Sequence, residues 1–108
     1  MIFVTGPMYS GKKEYIRQFL HLTQEEFSEK AVWDVEQLAT DCDNLEQMAD
    51  HLATKEIIIA TEVGGGVVPI NPQQRRNREA AGRLACLLAQ RAERVIRVCC
   101  GLPQILKG

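Results

Sequence analysis

The sequence is short of several things, and each shortage closes off a class of function. No apolar run approaches the roughly 20 residues that a helix needs to cross a bilayer. The N-terminus lacks the basic start and long apolar segment of a signal peptide. A cytoplasmic protein with no membrane partner is therefore expected. Aromatic residues make up only 6% of the chain, and none is interleaved with the arginines that follow Asn71. A basic helix without aromatics is a poor footprint for nucleic acid, so no nucleic-acid partner is expected.

Metal-ligating and disulfide-forming residues are scarce too. Cys42, Cys86, Cys99 and Cys100 form no C-x-x-C pair, and His21 and His51 alone are there to complete a metal set. Cys99 and Cys100 are adjacent, which suits one disulfide ring badly. All four cysteines read as small buried apolar residues of a reduced protein. Charge of one sign is lacking overall, with a formal net charge of −1. Its distribution is uneven: the acids crowd between Glu14 and Glu62, the arginines after Asn71. Two solvated faces of opposite sign account for this, or else some arginines face phosphates or a neighbouring subunit.

The chain itself has 108 residues, 45% apolar and 25% charged. That is one soluble domain, residues 1–108, large enough for its own core. Its opening stretch is the most informative. Ile2-Phe3-Val4-Thr5 is a β-branched apolar run that stops at Gly6. Pro7, Met8, Tyr9, Ser10, Gly11, Lys12 and Lys13 follow, and a helical pattern begins at Glu14. Strand, glycine-bounded loop and helix N-terminus stand in the order of a phosphate-binding loop. There, backbone N–H groups form a cradle and the helix adds its unpaired donors. Lys12 would reach the terminal phosphates of a nucleotide. The pattern G-x-x-x-x-G-K-[ST] ends in a hydroxyl that ligates Mg²⁺, and here that position is Lys13. An ammonium group has donors only, so the loop is expected to bind an anion while lacking its usual Mg²⁺ contact.

Further along, strands and helices alternate. Tyr15, Ile16, Phe19 and Leu20 predict a first helix over roughly Lys12 to Leu22. Thr23 to Lys30 is polar and reads as irregular or a helical tail. Ala31 to Val35 reads as a short buried strand. Asp43 with Glu46 resembles a capping box, and Leu45, Met48, Ala49 and Leu52 give the next helix its apolar stripe. Glu56 to Thr61 reads as a central parallel strand. A long helix from about Pro72 to Ala92 buries Ala81, Leu84, Leu88 and Ala92. Arg94 to Cys100 is a final strand, followed by a short tail. The expected fold is an α/β, mostly parallel sheet with helices on both faces and ligands at the carboxyl ends of the strands.

Two further stretches stand at such strand ends. Asp34 either holds Mg²⁺, as an acid ending the second strand of a P-loop protein does, or is a turn acid in water. Glu62 binds a metal, binds a ribose or caps a turn. Gly64, Gly65 and Gly66 beside it allow close backbone approach to a ligand and incline the reading toward a substrate loop.

The segment Thr61-Glu62-Val63-Gly64-Gly65-Gly66-Val67-Val68-Pro69 resembles the T-N-E-V-G-x-G-I-V-P segment of the bifunctional adenosylcobinamide kinase/adenosylcobinamide-phosphate guanylyltransferase family. Arg78-Glu79-Ala80-Ala81-Gly82-Arg83-Leu84 is similar to its F-R-D-x-x-G-x-x-N-Q helix. Gly101 to Lys107 resembles its usual ending, and Trp33-Asp34 its strand ending in an acid. The resemblance covers roughly residues 1–20 and 56–108. It implies a reduced RecA-like P-loop fold and a place in cobalamin biosynthesis. It also implies ATP or GTP as cofactor, a corrinoid (adenosylcobinamide) as acceptor, and a homo-oligomer. The family's guanylylated histidine stands in an H-x-x-x-R setting. His21 is followed four residues later by Glu25, and His51 by Lys55, so guanylyltransferase activity is expected to be absent. Ala85-Cys86 replaces the family's Asn-Gln, and Lys13 its loop hydroxyl. Two readings follow: a kinase of the cobinamide type with Lys12 as catalytic residue, or a degenerate nucleotide- or anion-binding or regulatory subunit.

Overall fold

The computed structural model describes residues 1–63 and 71–108. In chain order the elements are β1 (Ile2–Gly6), α1 (Lys12–Phe19), α2 (Gln24–Lys30), β2 (Ala31–Val32) and a 3₁₀ turn (Val35–Ala39). Then follow α3 (Leu45–Leu52), β3 (Ile57–Thr61), α4 (Pro72–Arg91), β4 (Arg94–Cys99) and β5 (Leu102–Lys107). The strands form one sheet in the order β2-β3-β1-β4-β5. β1 lies parallel between β3 and β4, with Val4 opposite both Ile59 and Ile96. β2 adds in parallel to β3, and β5 pairs antiparallel with β4.

Alternation along the buried strands sends side chains to two cores. Phe3, Ile58, Ala60 and Val95 pack with Leu84 and Leu88 of α4, Ala49 and Leu52 of α3, and Val35 and Ala39. Val4, Ile57, Ile59, Ile96 and Val98 pack on the other face with Ile16 of α1 and Phe27 of α2. Central parallel strands covered on both faces carry apolar residues at every position, as Ile57-Ile58-Ile59 does. The mostly parallel α/β sheet with helices on both faces is thus present, and Ala81, Leu84, Leu88 and Ala92 are all buried.

Several local expectations need correction. The first helix stops at Phe19, and Thr23 to Lys30 contains a separate helix. Thr23 Oγ1 accepts from the Glu26 N–H and the Glu26 carboxylate accepts from the Thr23 N–H, a complete capping box. The second strand covers only Ala31 and Val32, because Asp34 turns left-handed (φ 58°) and starts the 3₁₀ turn. The third helix is capped by Asn44, which accepts from Gln47, and not by an Asp43–Glu46 box. The tail is a strand, β5, every residue of which is exposed. The cysteines are not buried: Cys86, Cys99 and Cys100 are exposed and Cys42 is half-buried. Gly64, Gly65 and Gly66 lie outside the described residues.

Candidate functional site

β1 ends where the sheet leaves no room for a side chain. A Cβ on Gly6 would stand 2.2 Å from the Val98 carbonyl oxygen of β4 and 2.9 Å from Ser10 Oγ. Beyond it the chain turns tightly, Ser10 N–H donating to Pro7 O at 3.3 Å, with Tyr9 left-handed at φ 61°. Gly11 is also left-handed (φ 81°) and serves as the N-cap of α1. Such a conformation is open to glycine at low cost. The turn between β4 and β5 supports the loop from outside, where the Gly101 N–H donates to Ser10 O at 2.8 Å.

Gly11 offers no side chain, so α1 begins without a side-chain cap. The other described α-helices begin under Thr23, Asn44 and Asn71, each accepting from a first-turn N–H. The first-turn amides of α1 therefore keep their donors and the positive end of the helix dipole. Lys12 is buried in the same place, and its Nζ donates to Pro7 O at 3.1 Å across the loop. Burial lowers its pKa below the ordinary value, while Glu36 and Asp34 pull the other way. Ser10 is buried as well, and its Oγ has no hydrogen-bond partner among the described residues.

This corner opens on a cleft of about 950 Å³. Met8, Tyr9, Ser10, Gly11, Lys12 and Lys13 form one side. Asp34, Glu36, Gln37 and Thr40 line the cleft too, together with Thr61, Glu62 and Val63 at the end of β3 and Gln74, Asn77, Arg78 and Ala81 of α4. The structure thus brings Lys12, Lys13, Asp34 and Glu62 around one space at the carboxyl ends of β1, β2 and β3. Gly6 and Pro7 belong to the loop but not to the cleft wall.

Three features in or beside the cleft are absent from the sequence reading, and of these Glu36 alone lines it. Glu36 is one: its Oε1 accepts from the Thr61 N–H at 2.8 Å, linking the 3₁₀ turn to the end of β3. Its position two residues after Asp34, on the same strand exit, was the available signal. Arg97 is the second, gripping both carboxylate oxygens of Glu62 at 2.6 and 3.0 Å. Contact with Glu62 raises the Arg97 pKa above its usual value. The third is Trp33, stacked on Phe27 with centroids 5.7 Å apart. The Lys13 ammonium lies over the Trp33 ring, 5.1 Å from its centroid. Among the described residues, no three His, Cys, Asp or Glu side chains converge to hold a metal ion.

Residues 18–106 match the family model described as cobinamide kinase / cobinamide phosphate guanyltransferase. That match begins beyond the loop, which is therefore known here by its geometry. The chain is also similar to the bifunctional adenosylcobalamin biosynthesis protein CobP of Pseudomonas aeruginosa. The two are 36% identical over 75 residues, which is 69% of this chain and 43% of that protein. The chain thus spans less than half the length of this curated relative.

Proposed function

The chain belongs to the cobinamide kinase / cobinamide phosphate guanyltransferase family, and from that premise we propose that it is a P-loop, nucleotide-binding protein of cobalamin biosynthesis. In this reading residues 1–108 are one RecA-like domain. The loop from Gly6 to Lys13 takes the phosphates of ATP or GTP, and adenosylcobinamide is the acceptor in a kinase-type transfer. One observation carries it: the uncapped N-terminus of α1, with Lys12 buried inside the loop, faces a cleft of about 950 Å³ at the strand ends. An anion there would meet free amides, an ammonium and the unsatisfied Ser10 hydroxyl. Lys12 would then neutralise charge developing on the transferred phosphoryl group, which is the main demand of such chemistry.

Guanylyl transfer is left out of the proposal. It needs an imidazole nucleophile, and His21 and His51 are both exposed and outside the cleft lining. Homo-oligomerisation is included. Exposed Leu102, Ile105 and Leu106 on β5 support it.

A second reading, a binder without turnover, is favoured by Glu62. Its two oxygens are both engaged by Arg97, which takes away one of the two acids expected to hold Mg²⁺. Calorimetry with ATP, GTP and pyrophosphate, followed by assay for phosphorylated cobinamide, separates the readings. Binding with product supports the kinase, and binding without product supports the binder. Absence of binding to all three anions overturns both.

A further inference from the structure

The loop lacks the hydroxyl that would hold a divalent cation beside the phosphates, and most of the acids near it are already engaged. Position 13 carries an ammonium, which has no lone pair to give. Glu62 is engaged through both oxygens by Arg97, and Glu36 Oε1 is occupied by the Thr61 N–H. Mg²⁺ requires near-octahedral oxygen ligation, with one or two carboxylates beside the substrate's phosphates. Of the three acids whose charges act on Lys12, Asp34 alone has a carboxylate with no hydrogen-bonded partner among the described residues, so a cation would find one free carboxylate there and no hydroxyl at position 13.

We infer that the site takes its nucleotide without a metal, and that Lys13 supplies the missing positive charge by leaving the Trp33 ring for the phosphates. This rests on the phosphate-loop reading above and goes further by naming the form of the ligand. Lys13 borders two spaces at once. It lines the main cleft, and it also lines a side pocket of about 300 Å³ with Arg17, Phe27 and Trp33. Its flexible four-carbon stem lets one ammonium serve either side. On the aromatic side it has a cation–π contact with a partly exposed ring (Trp33 is 38% exposed), which is a weak hold. On the cleft side it stands beside Lys12, close enough for the two ammonium groups to repel. An anion between them turns that repulsion into attraction for both. Its compact, strongly hydrated point charge can replace the charge of a metal on a phosphate, though not its directed ligation.

Trp33 is the sole tryptophan of the chain, so its emission reports whether an ammonium stands over it. The test is titration of the intact chain with ATP and with pyrophosphate, in EDTA and in Mg²⁺, by calorimetry and tryptophan fluorescence. Wild type is expected to bind ATP equally well within about threefold in the two buffers, with a change in Trp33 emission in both. Lys13→Ser should lose at least tenfold in EDTA, recover part of it in Mg²⁺ and show no emission change. Lys13→Met should lose affinity in both buffers. Since Lys13 is exposed, these variants are expected to fold. A tenfold or greater requirement for Mg²⁺ in wild type overturns the inference while leaving the nucleotide reading intact. So does undiminished binding by Lys13→Ser in EDTA, or an unchanged Trp33 signal at saturation. Failure of wild type to bind ATP, GTP or pyrophosphate in either buffer overturns the phosphate loop, and this inference with it.

Discussion

Glu62 and Arg97 form a two-point ion pair over the end of β1, joining the exit of β3 to β4 across the strand between them. Parallel pairing puts Gly6 opposite Thr61 and Thr5 opposite Arg97, so the pair closes just above the start of the loop. Both side chains are about a third exposed, at 37% and 36%. Bidentate geometry fixes position more than it adds stability in water, because exposed pairs are screened. Arg97→Gln is therefore expected to change the melting temperature by no more than about 4 °C at low salt. At 1 M NaCl the difference should vanish. A larger drop that persists in salt would show that the pair is part of the core, not of the cleft rim.

Two glycines should behave in opposite ways. At Gly6 an added methyl meets the Val98 carbonyl at 2.2 Å, and neither backbone can yield without shifting the sheet. Gly6→Ala should cost about 1–3 kcal/mol from overpacking, and it should abolish phosphate binding by distorting the loop. Gly82 lies on the exposed side of α4 with nothing within 4 Å of the added atom. Gly82→Ala should raise stability by about 1 kcal/mol through helix propensity alone. Urea unfolding of the two variants checks both signs. Equal effects would contradict the packing difference between the sites.

The parts of the fold legible in the sequence are those that burial writes most heavily. β1, β3 and α4 were readable because Ile57-Ile58-Ile59 and the Ala81, Leu84, Leu88 spacing answer to a core on known faces. β5 was not, since all its residues are exposed and no alternation marks it. Pro103, which a central strand would exclude, is tolerated there because β5 is an edge strand. Cys99 and Cys100 were misjudged for the same reason: they lie where β4 leaves the core and turns, with Cys100 left-handed at φ 54°. In the cleft, Lys12, Asp34 and Glu62 were found by their place at strand ends. Arg97 and Glu36 act through pairings between distant segments, which a linear pattern does not display.

The helix α2 gives a sharper lesson and a prediction. Its one buried apolar residue is Phe27, too little for periodicity to register. Its start was nonetheless written as Thr23-x-x-Glu26, and both reciprocal bonds are made. With so small a buried face, α2 depends on its cap more than α4 does. Thr23→Ala should cost about 1 kcal/mol, seen as a lower urea midpoint. Because Phe27 stacks on Trp33, tryptophan emission should shift in the same variant. An unchanged midpoint would mean that Phe27 alone holds the segment.

Lys12 couples stability to function with a sign that can be worked out. Its burial lowers its pKa from the ordinary 10.5. Between the lowered value and 10.5 the unfolded chain holds the proton and the folded chain does not, so stability rises with pH across that window. Below the window the ammonium is charged in both states, and the folded protein bears the whole cost of burying it. Lys12→Met removes that cost while keeping a stem of similar length. At pH 7 the variant should be more stable by roughly 0.5–2 kcal/mol, and this advantage should shrink as the pH is raised toward 10.5. The same variant should lose binding to ATP and pyrophosphate, the trade expected where a charge is held for a ligand and not for the fold. Urea unfolding at pH 7 and pH 10 decides it: a Lys12→Met protein that is less stable at pH 7 would mean that the bond to Pro7 O outweighs desolvation, and that the buried lysine supports the loop's structure in its own right.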